Sequence, residues 1–212
     1  MKKMFFSRVF PGLAAICVVA TIFLSCQKEK YKEEKEYLGW VANPANGLHQ
    51  QANADRVVVD VQYKPLDYQV LLEAHGIKMS GEKQESRKQQ LKGMQYYTLK
   101  FLPGEKVNDV LAYLGDRNGG LLPVTDRLGY EFQQSIRIYQ HGDTLPCQLY
   151  HFENMYGISP YVSFSLGFEE QDSTGKYGDR MLEIDGRSLG LGVIEFPIKG
   201  SDIEQTPHLI TN

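Results

Sequence analysis

Val57, Val59, Val61 and Tyr63 alternate with Val58, Asp60, Gln62 and Lys64 in RVVVDVQYK, and this period of two predicts a half-buried strand. MQYYTLKFLP repeats the pattern with Tyr97, Leu99 and Phe101 on one face, and Pro103-Gly104 stops it. YVSFSLGFEE gives the clearest signal, with Val162, Phe164, Leu166 and Phe168 opposing Ser163, Ser165 and Gly167. It predicts one core face and one small, wet face. In the same way Tyr130, Phe132, Ile136 and Ile138 alternate with Glu131, Gln133, Ser135 and Arg137, before a hairpin turn at HGDT. LPCQLYHFE is apolar on both alternations, which predicts a central strand covered on both sides. MLEIDGRSL carries Asp185-Gly186, a two-residue hairpin signal, and VIEFPI turns Ile194, Phe196 and Ile198 inward.

Helical spacing is rarer. EYLGWVANPANGL sets Tyr37, Leu38 and Val41 on one face of a short helix that ends at Asn43-Pro44, with a tight turn at Asn46-Gly47. In PLDYQVLLEAHG, Pro65 suits a first turn, Tyr68, Leu71 and Leu72 share a face, and Gly76 caps. EKVNDVLAYLG matches the i, i+3, i+4, i+7 pattern at Val107, Val110, Leu111 and Leu114, closed by Gly115. MSGEKQESRKQQLK, from Met79 to Lys92, is polar on every side and forms a surface excursion. The sum is a mainly β (α+β) chain: an antiparallel β-sandwich or barrel of about seven or eight strands with two or three short helices.

The front of the chain follows a different pattern. Lys2, Lys3 and Arg8 precede VFPGLAAICVVATIFLS, an uncharged run from Val9 to Ser25, and a cysteine follows at once. Basic, then apolar, then small residues form a secretory signal. At 17 residues the run sits at the short limit for a membrane-spanning helix, and Pro11 and Gly12 interrupt it. FLSC, Phe23 to Cys26, resembles the processing site of bacterial lipoproteins, although Leu24 stands one place later than the strictest pattern has it. The resemblance implies that Cys26 becomes the first mature residue and carries acyl groups such as palmitate. Gln27, Lys28 and Glu29 resemble the export signal of Bacteroidota-type lipoproteins sent to the outer face of the outer membrane, although Lys30 stands where a second acid is usual. The periplasmic face of that membrane is the alternative. The domain organisation expected is therefore a signal peptide at 1–25, a lipidated charged tether at 26–36, and a single β-rich globular domain at 37–212. That domain is similar to uncharacterised lipoproteins of the same group, a likeness that implies no activity.

Composition narrows the remaining classes. Loss of the leader removes three of 23 basic residues and none of 26 acidic ones, leaving a balance near −6. No basic patch of the kind that neutralises phosphates remains, so a nucleic-acid partner is not expected. Cys17 leaves with the leader and Cys26 is consumed by lipid, so Cys147 stands alone and no intramolecular disulfide is expected. Burial must hold the fold.

Candidate chemistry is sparse. His49, His75, His141, His151 and His208 show no metal-sharing spacing, so no metal is expected. Ser80-Gly81-Glu82-Lys83 has S-x-x-K spacing but lacks the partner motifs of penicillin-binding enzymes. Cys147 and His151, four strand positions apart, would stand about 13 Å from each other, too far for proton transfer. Glu169, Glu170, Asp172 and Asp179 gather in GFEEQDSTGKYGD, where a solvated hairpin loop is preferred to a calcium site. Trp40 reads as core rather than as a ligand platform. The 13 Tyr and 10 Phe leave a sheet-face platform for sugars open. The expectation is thus a non-catalytic envelope lipoprotein, a binding or assembly module without a cofactor, with membrane attachment at Cys26 and an envelope protein complex as partner. An accessory glycan- or peptide-binding protein is the alternative, and a hydrolase the third.

Overall fold

The computed structural model describes residues 31–77, 79–153, 158–172 and 176–210, all within one compact unit. Cys26, Gln27, Lys28 and Glu29 lie outside the described residues, as does the whole of the expected signal peptide at 1–25.

Two antiparallel sheets enclose the core. The five-stranded sheet has the order β2 (His49–Ala54), β3 (Val57–Lys64), β4 (Met94–Pro103), β8 (Val162–Glu169), β7 (Leu149–Glu153). The four-stranded sheet runs β10 (Val193–Ile198), β9 (Arg180–Asp185), β5 (Ile136–Gln140), β6 (Asp143–Pro146). A two-residue parallel pair joins β1 (Tyr31–Lys32) to β11 (His208–Leu209), tying the two ends of the described chain together. The architecture is sandwich-like, with no closed barrel among the described residues.

The inward residues expected of β3, β4, β8 and β10 are all buried. Val59, Leu99, Phe101, Phe164 and Phe168 have no exposed surface, and Phe101, Phe132, Phe152 and Tyr150 surround Phe164 at centroid distances of 5.3–5.8 Å. Burial of such side chains contributes about 1.5–3 kcal/mol each relative to exposure. The hairpin at HGDT forms as expected, with His141 (φ 53°) and Gly142 (φ 89°) in the left-handed region that a two-residue turn requires.

Helix α1 (Glu34–Ala42) buries Tyr37 and Val41 and stops before Pro44, and Trp40 packs against the core. Residues 31–36, expected within the charged tether, thus contribute β1 and the first turn of α1. Helix α2 (Leu66–Glu73) buries Tyr68, Val70 and Leu71, whereas Leu72, placed on that face by its spacing, is 40 % exposed. The polar excursion is helix α3 (Gly81–Leu91), in which Leu91 is the buried residue. Val70 of α2, Leu91 of α3 and Tyr96 of β4 form a second small core on the outer side of the five-stranded sheet.

Five expectations need correction. Helix α4 spans Val110–Arg117, so Val107 precedes it and Gly115 lies inside it. Asp109 caps its start, with Oδ1 accepting from the Ala112 N–H at 2.7 Å. Gly115 is bare because a Cβ there would come within 3.0 Å of the Leu121 nitrogen. Tyr130 begins no strand: α5 (Leu121–Asp126) continues as a wide turn to Glu131 and a tighter one to Ser135, and Tyr130 is 82 % exposed. Val124, Leu128 and Phe132, spaced by four, are the buried set, so the helical period won and Phe132 belonged to both patterns.

LPCQLYHFE is not one central strand. It ends β6 at Pro146 and restarts as β7 at Leu149, each an edge strand of a different sheet. Both alternations are apolar because the segment turns over between sheets. Asp185-Gly186 makes no two-residue turn either. The loop from 186 to 192 contains a short 3-10 turn, and its Leu189 and Leu191 are buried, which a tight hairpin would forbid. Finally, the small face of β8 is not wet. Ser163 and Gly167 are buried, and a Cβ on Gly167 would meet Leu149 and Met94 at 3.0 and 3.1 Å.

Candidate functional site

Three strands end inward on a polar residue. Gln95 shares the parity of Tyr97, Leu99 and Phe101 on β4, Gln140 that of Ile136 and Ile138 on β5, and Arg180 that of Leu182 and Ile184 on β9. All three are 1–3 % exposed. They meet between the two sheets at one end of the sandwich, where burial without partners would be costly.

The partners form a closed ring. Arg180 donates to Gln95 Oε1 at 2.6 Å, the Gln95 amide donates to Gln140 Oε1 at 3.0 Å, and the Gln140 amide donates to Asp172 Oδ2 at 2.7 Å. Asp172 Oδ2 then accepts from Arg180 at 2.6 Å, which closes the circuit. Glu170 adds an ion pair to Arg180 at 3.2 Å, and the Tyr97 hydroxyl donates to Gln95 Oε1 at 2.7 Å. His141, from the turn between β5 and β6, holds Asp172 Oδ1 at 2.5 Å, and the Gly178 N–H donates to Oδ2 at 2.8 Å.

The expected solvated loop is therefore corrected. Glu170 and Asp172 are drawn inward to neutralise a buried arginine, and the Asp179 carboxylate accepts from the Gly200 N–H at 2.9 Å. Among the described residues no group of acids, histidines or cysteines is placed to hold a metal ion.

Electrostatics follow from this packing. Burial pulls the Arg180 guanidinium down, but its neighbours, the Glu170 carboxylate among them, more than offset it and hold the guanidinium above its usual range. Burial raises the Asp172 carboxyl, and the bonds from His141 and Gly178 with the Arg180 charge outweigh it, leaving it below the usual carboxylate range. Desolvation pushes the Tyr63 and Tyr97 phenols well up, so both stay neutral, and the Tyr97 hydroxyl keeps its proton to donate to Gln95.

Above the ring opens a cleft of about 720 Å³, within the range of small-molecule sites. Its walls come from the end of β3 with the start of α2 (Tyr63 to Asp67), from α3 and the start of β4 (Lys88, Lys92, Met94), from Glu170, Asp172 and Tyr177, and from the C-terminal segment at Ile203 to His208. Helix α6 (Gly200–Glu204) supplies Ile203 and Glu204. The Arg180 guanidinium lies 5.9 Å from the centroids of both Tyr63 and Tyr177. Its two carboxylate partners are cleft residues as well, so four wall residues surround it.

Each wall carboxylate has a partner. Asp67 pairs with Lys88 at 2.9 Å, Glu170 and Asp172 hold Arg180, and Glu204 accepts from the Tyr177 N–H at 3.0 Å. Two buried polar atoms have no hydrogen-bond partner: Nε of Arg180 and Oγ1 of the cleft residue Thr206.

Other sequence candidates fall elsewhere. Cys147 is buried, its thiol donating to the Leu149 carbonyl at 3.1 Å, and desolvation pushes it up to about 12. His151 is exposed on an edge strand. Ser80 and Lys83 open α3 with exposed side chains. His49 is committed to Asp60, 2.6 Å away, which accounts for a buried acid on the outward parity of β3. Arg180, absent from any motif, carried one signal in the sequence: an arginine on the inward parity of an alternating strand.

No helix among the described residues is long and apolar enough to cross a membrane. No protein-family model, curated protein or solved structure matches the chain.

Proposed function

We propose that the chain is an outer-membrane lipoprotein, held by acyl groups on Cys26 and exported by Gln27, Lys28 and Glu29, whose β-rich domain binds a ligand without transforming it. The supporting observation is the cleft itself. It is roomy, its wall mixes aromatic and apolar surface with four acids and three lysines, and each of those acids has at least one cation or N–H partner. Three of the four acids, Asp67, Glu170 and Asp172, are paired with cations of the protein itself, which ties their charge to the fold rather than to a substrate proton. Such a surface favours recognition.

The anchor bears on geometry as well. Five peptide steps separate Cys26 from Tyr31, the first residue of β1, and a fully extended chain covers about 18 Å in that distance. Tyr31 pairs with His208, a wall residue. A lipidated Cys26 therefore keeps the cleft close to the bilayer, available to a membrane-bound partner. Several acyl chains make such an anchor stable, since each buried methylene contributes about 0.8 kcal/mol.

Metabolic labelling with palmitate tests the anchor. The wild-type chain is expected to incorporate label and to begin at Cys26 by mass spectrometry, and Cys26→Ala is expected to do neither. An unlabelled wild-type chain that retains its leader refutes the proposal. Copurification of the lipidated protein with a stoichiometric envelope partner, abolished by Tyr177→Ala, tests the binding role.

A further inference from the structure

A second, shallower hollow lies beside the point where the chain enters the domain. The Ile210 N–H, just past β11, donates to the Lys32 carbonyl of β1 at 3.0 Å. Next to that contact Leu71, Ala74, Ile77, Met79, Leu209 and Ile210 line a groove of about 210 Å³, smaller than small-molecule sites are. Its apolar rim is open to solvent: Ile77 is 73 % and Ile210 38 % exposed. The backbone holds Ile77 out. His75 (φ 48°) and Gly76 (φ 77°) both turn left-handed after α2, and the Ile77 N–H donates to the Ala74 carbonyl at 2.8 Å.

We propose that Ile77 and Ile210 insert into the lipid leaflet that holds the acyl groups of Cys26, which makes the groove the membrane-facing side of the domain. This rests on the reading of Cys26 as the anchor. Six peptide steps separate Cys26 from Lys32, about 22 Å of fully extended chain, and Ile210 is bonded to Lys32. Within that reach the bilayer is present at high effective concentration, so even a weakly attracted surface engages it. Removing exposed isoleucine from water drives the contact.

Charge fits the same occupant. Glu33 and Glu34 line the groove, and among the described residues no lysine or arginine does. The carboxylates thus meet the cationic ends of zwitterionic headgroups, and anionic lipid adds no attraction. The isoleucines enter the headgroup and acyl boundary to a depth of about 5–10 Å, as amphipathic surface helices do. His208 walls the cleft and Leu209 the groove, so docking also fixes the cleft beside the bilayer surface.

The test uses the full lipidated protein in phosphatidylcholine and phosphatidylethanolamine vesicles. Ile77→Cys, Ile210→Cys and Ile158→Cys each receive an environment-sensitive thiol label. Cys147 is buried and its thiol is raised to about 12, so the introduced cysteine takes the label, with unmutated protein as the blank. Ile158, 84 % exposed, is the control. It leads into β8 where Val162 pairs Phe101, whereas α2 leaves β3 where Lys64 pairs Tyr96, five residues or about 17 Å along β4.

The labels at 77 and 210 are expected to emit at shorter wavelength and to be quenched by lipids brominated along the acyl chain, and the label at 158 to do neither. High salt and added anionic lipid are expected to leave this unchanged. Ile77→Ser, a change at an exposed position whose fold is checked by melting temperature, is expected to reduce quenching at 210. Solvent-like emission at 77 and 210 in protein that carries palmitate at Cys26 overturns the inference and leaves the anchor standing. A chain without palmitate removes the anchor and the inference together. Shifted emission that brominated lipid does not quench, and that grows with protein density, assigns the groove to a second copy of the chain and overturns the inference. Equal quenching at 158, or quenching at 210 that Ile77→Ser does not alter, overturns it too.

Discussion

Replacing Arg180 by Met removes the centre of the polar ring and nothing else of its size. The guanidinium now bonds Gln95, Glu170 and Asp172 at 2.6–3.2 Å, and its side chain is wholly buried. The Asp172 and Glu170 side chains are only 5 % and 13 % exposed, so the variant leaves two acids in low dielectric without their cation. Breaking a buried pair from one side costs about 3–5 kcal/mol. For a chain of this length each kcal/mol moves the melting temperature by about 2–4 °C, so a fall of about 6–20 °C is expected by calorimetry. Neutralising the orphaned acids as well, in Arg180→Met with Glu170→Gln and Asp172→Asn, is expected to recover at least half of the loss. The pH dependence supplies a second readout. Asp172 titrates below its unfolded value in the folded chain, so its contribution is full above the ordinary carboxylate range and is lost as pH falls through the lower, folded value. His141→Ala, which removes the main depressing contact, is expected to flatten stability against pH on that acid side. A fall of under about 3 °C for Arg180→Met would refute the view that the ring staples the two sheets.

Further tests are simpler. Gly200→Ala places a Cβ on the Tyr177 carbonyl, so a stability loss of about 1–3 kcal/mol is expected in urea unfolding, with weakened binding in the cleft. Asp109→Ala removes the cap of α4 and is expected to cost about 1 kcal/mol by the same measurement. The Cys147 thiol, raised to about 12 by burial, is expected to resist a thiol reagent at pH 8 until denaturant is added; one fast-reacting thiol in the mature protein would show Cys26 to be unmodified instead.

The core strands were legible because a period of two leaves little choice of face: Val57 to Tyr63, Tyr97 to Phe101 and Val162 to Phe168 are buried as their alternation requires. The errors share one cause. Tyr130 and Phe132 fit a strand by parity and a helix by spacing, and only packing of Val124, Leu128 and Phe132 against the core chose between them. The segment from Leu145 to Phe152 looks central because local sequence cannot show that a strand changes sheets. The polar strand β2, His49–Ala54, gave no hydrophobic signal, since its place at a sheet edge is held by backbone bonds to β3.

The sequence by itself determined the inward faces of the main strands and the isolation of Cys147 from any second thiol within residues 31–212. It also contained, unread, three polar residues on inward parity at Gln95, Gln140 and Arg180. Tertiary structure alone decided that these three meet, because their positions lie 40 to 85 residues apart along the chain and only the stacking of two sheets brings them together. Once Arg180 is buried, it must recruit charge, and Glu170 and Asp172 are turned from solvent into the wall of a cleft.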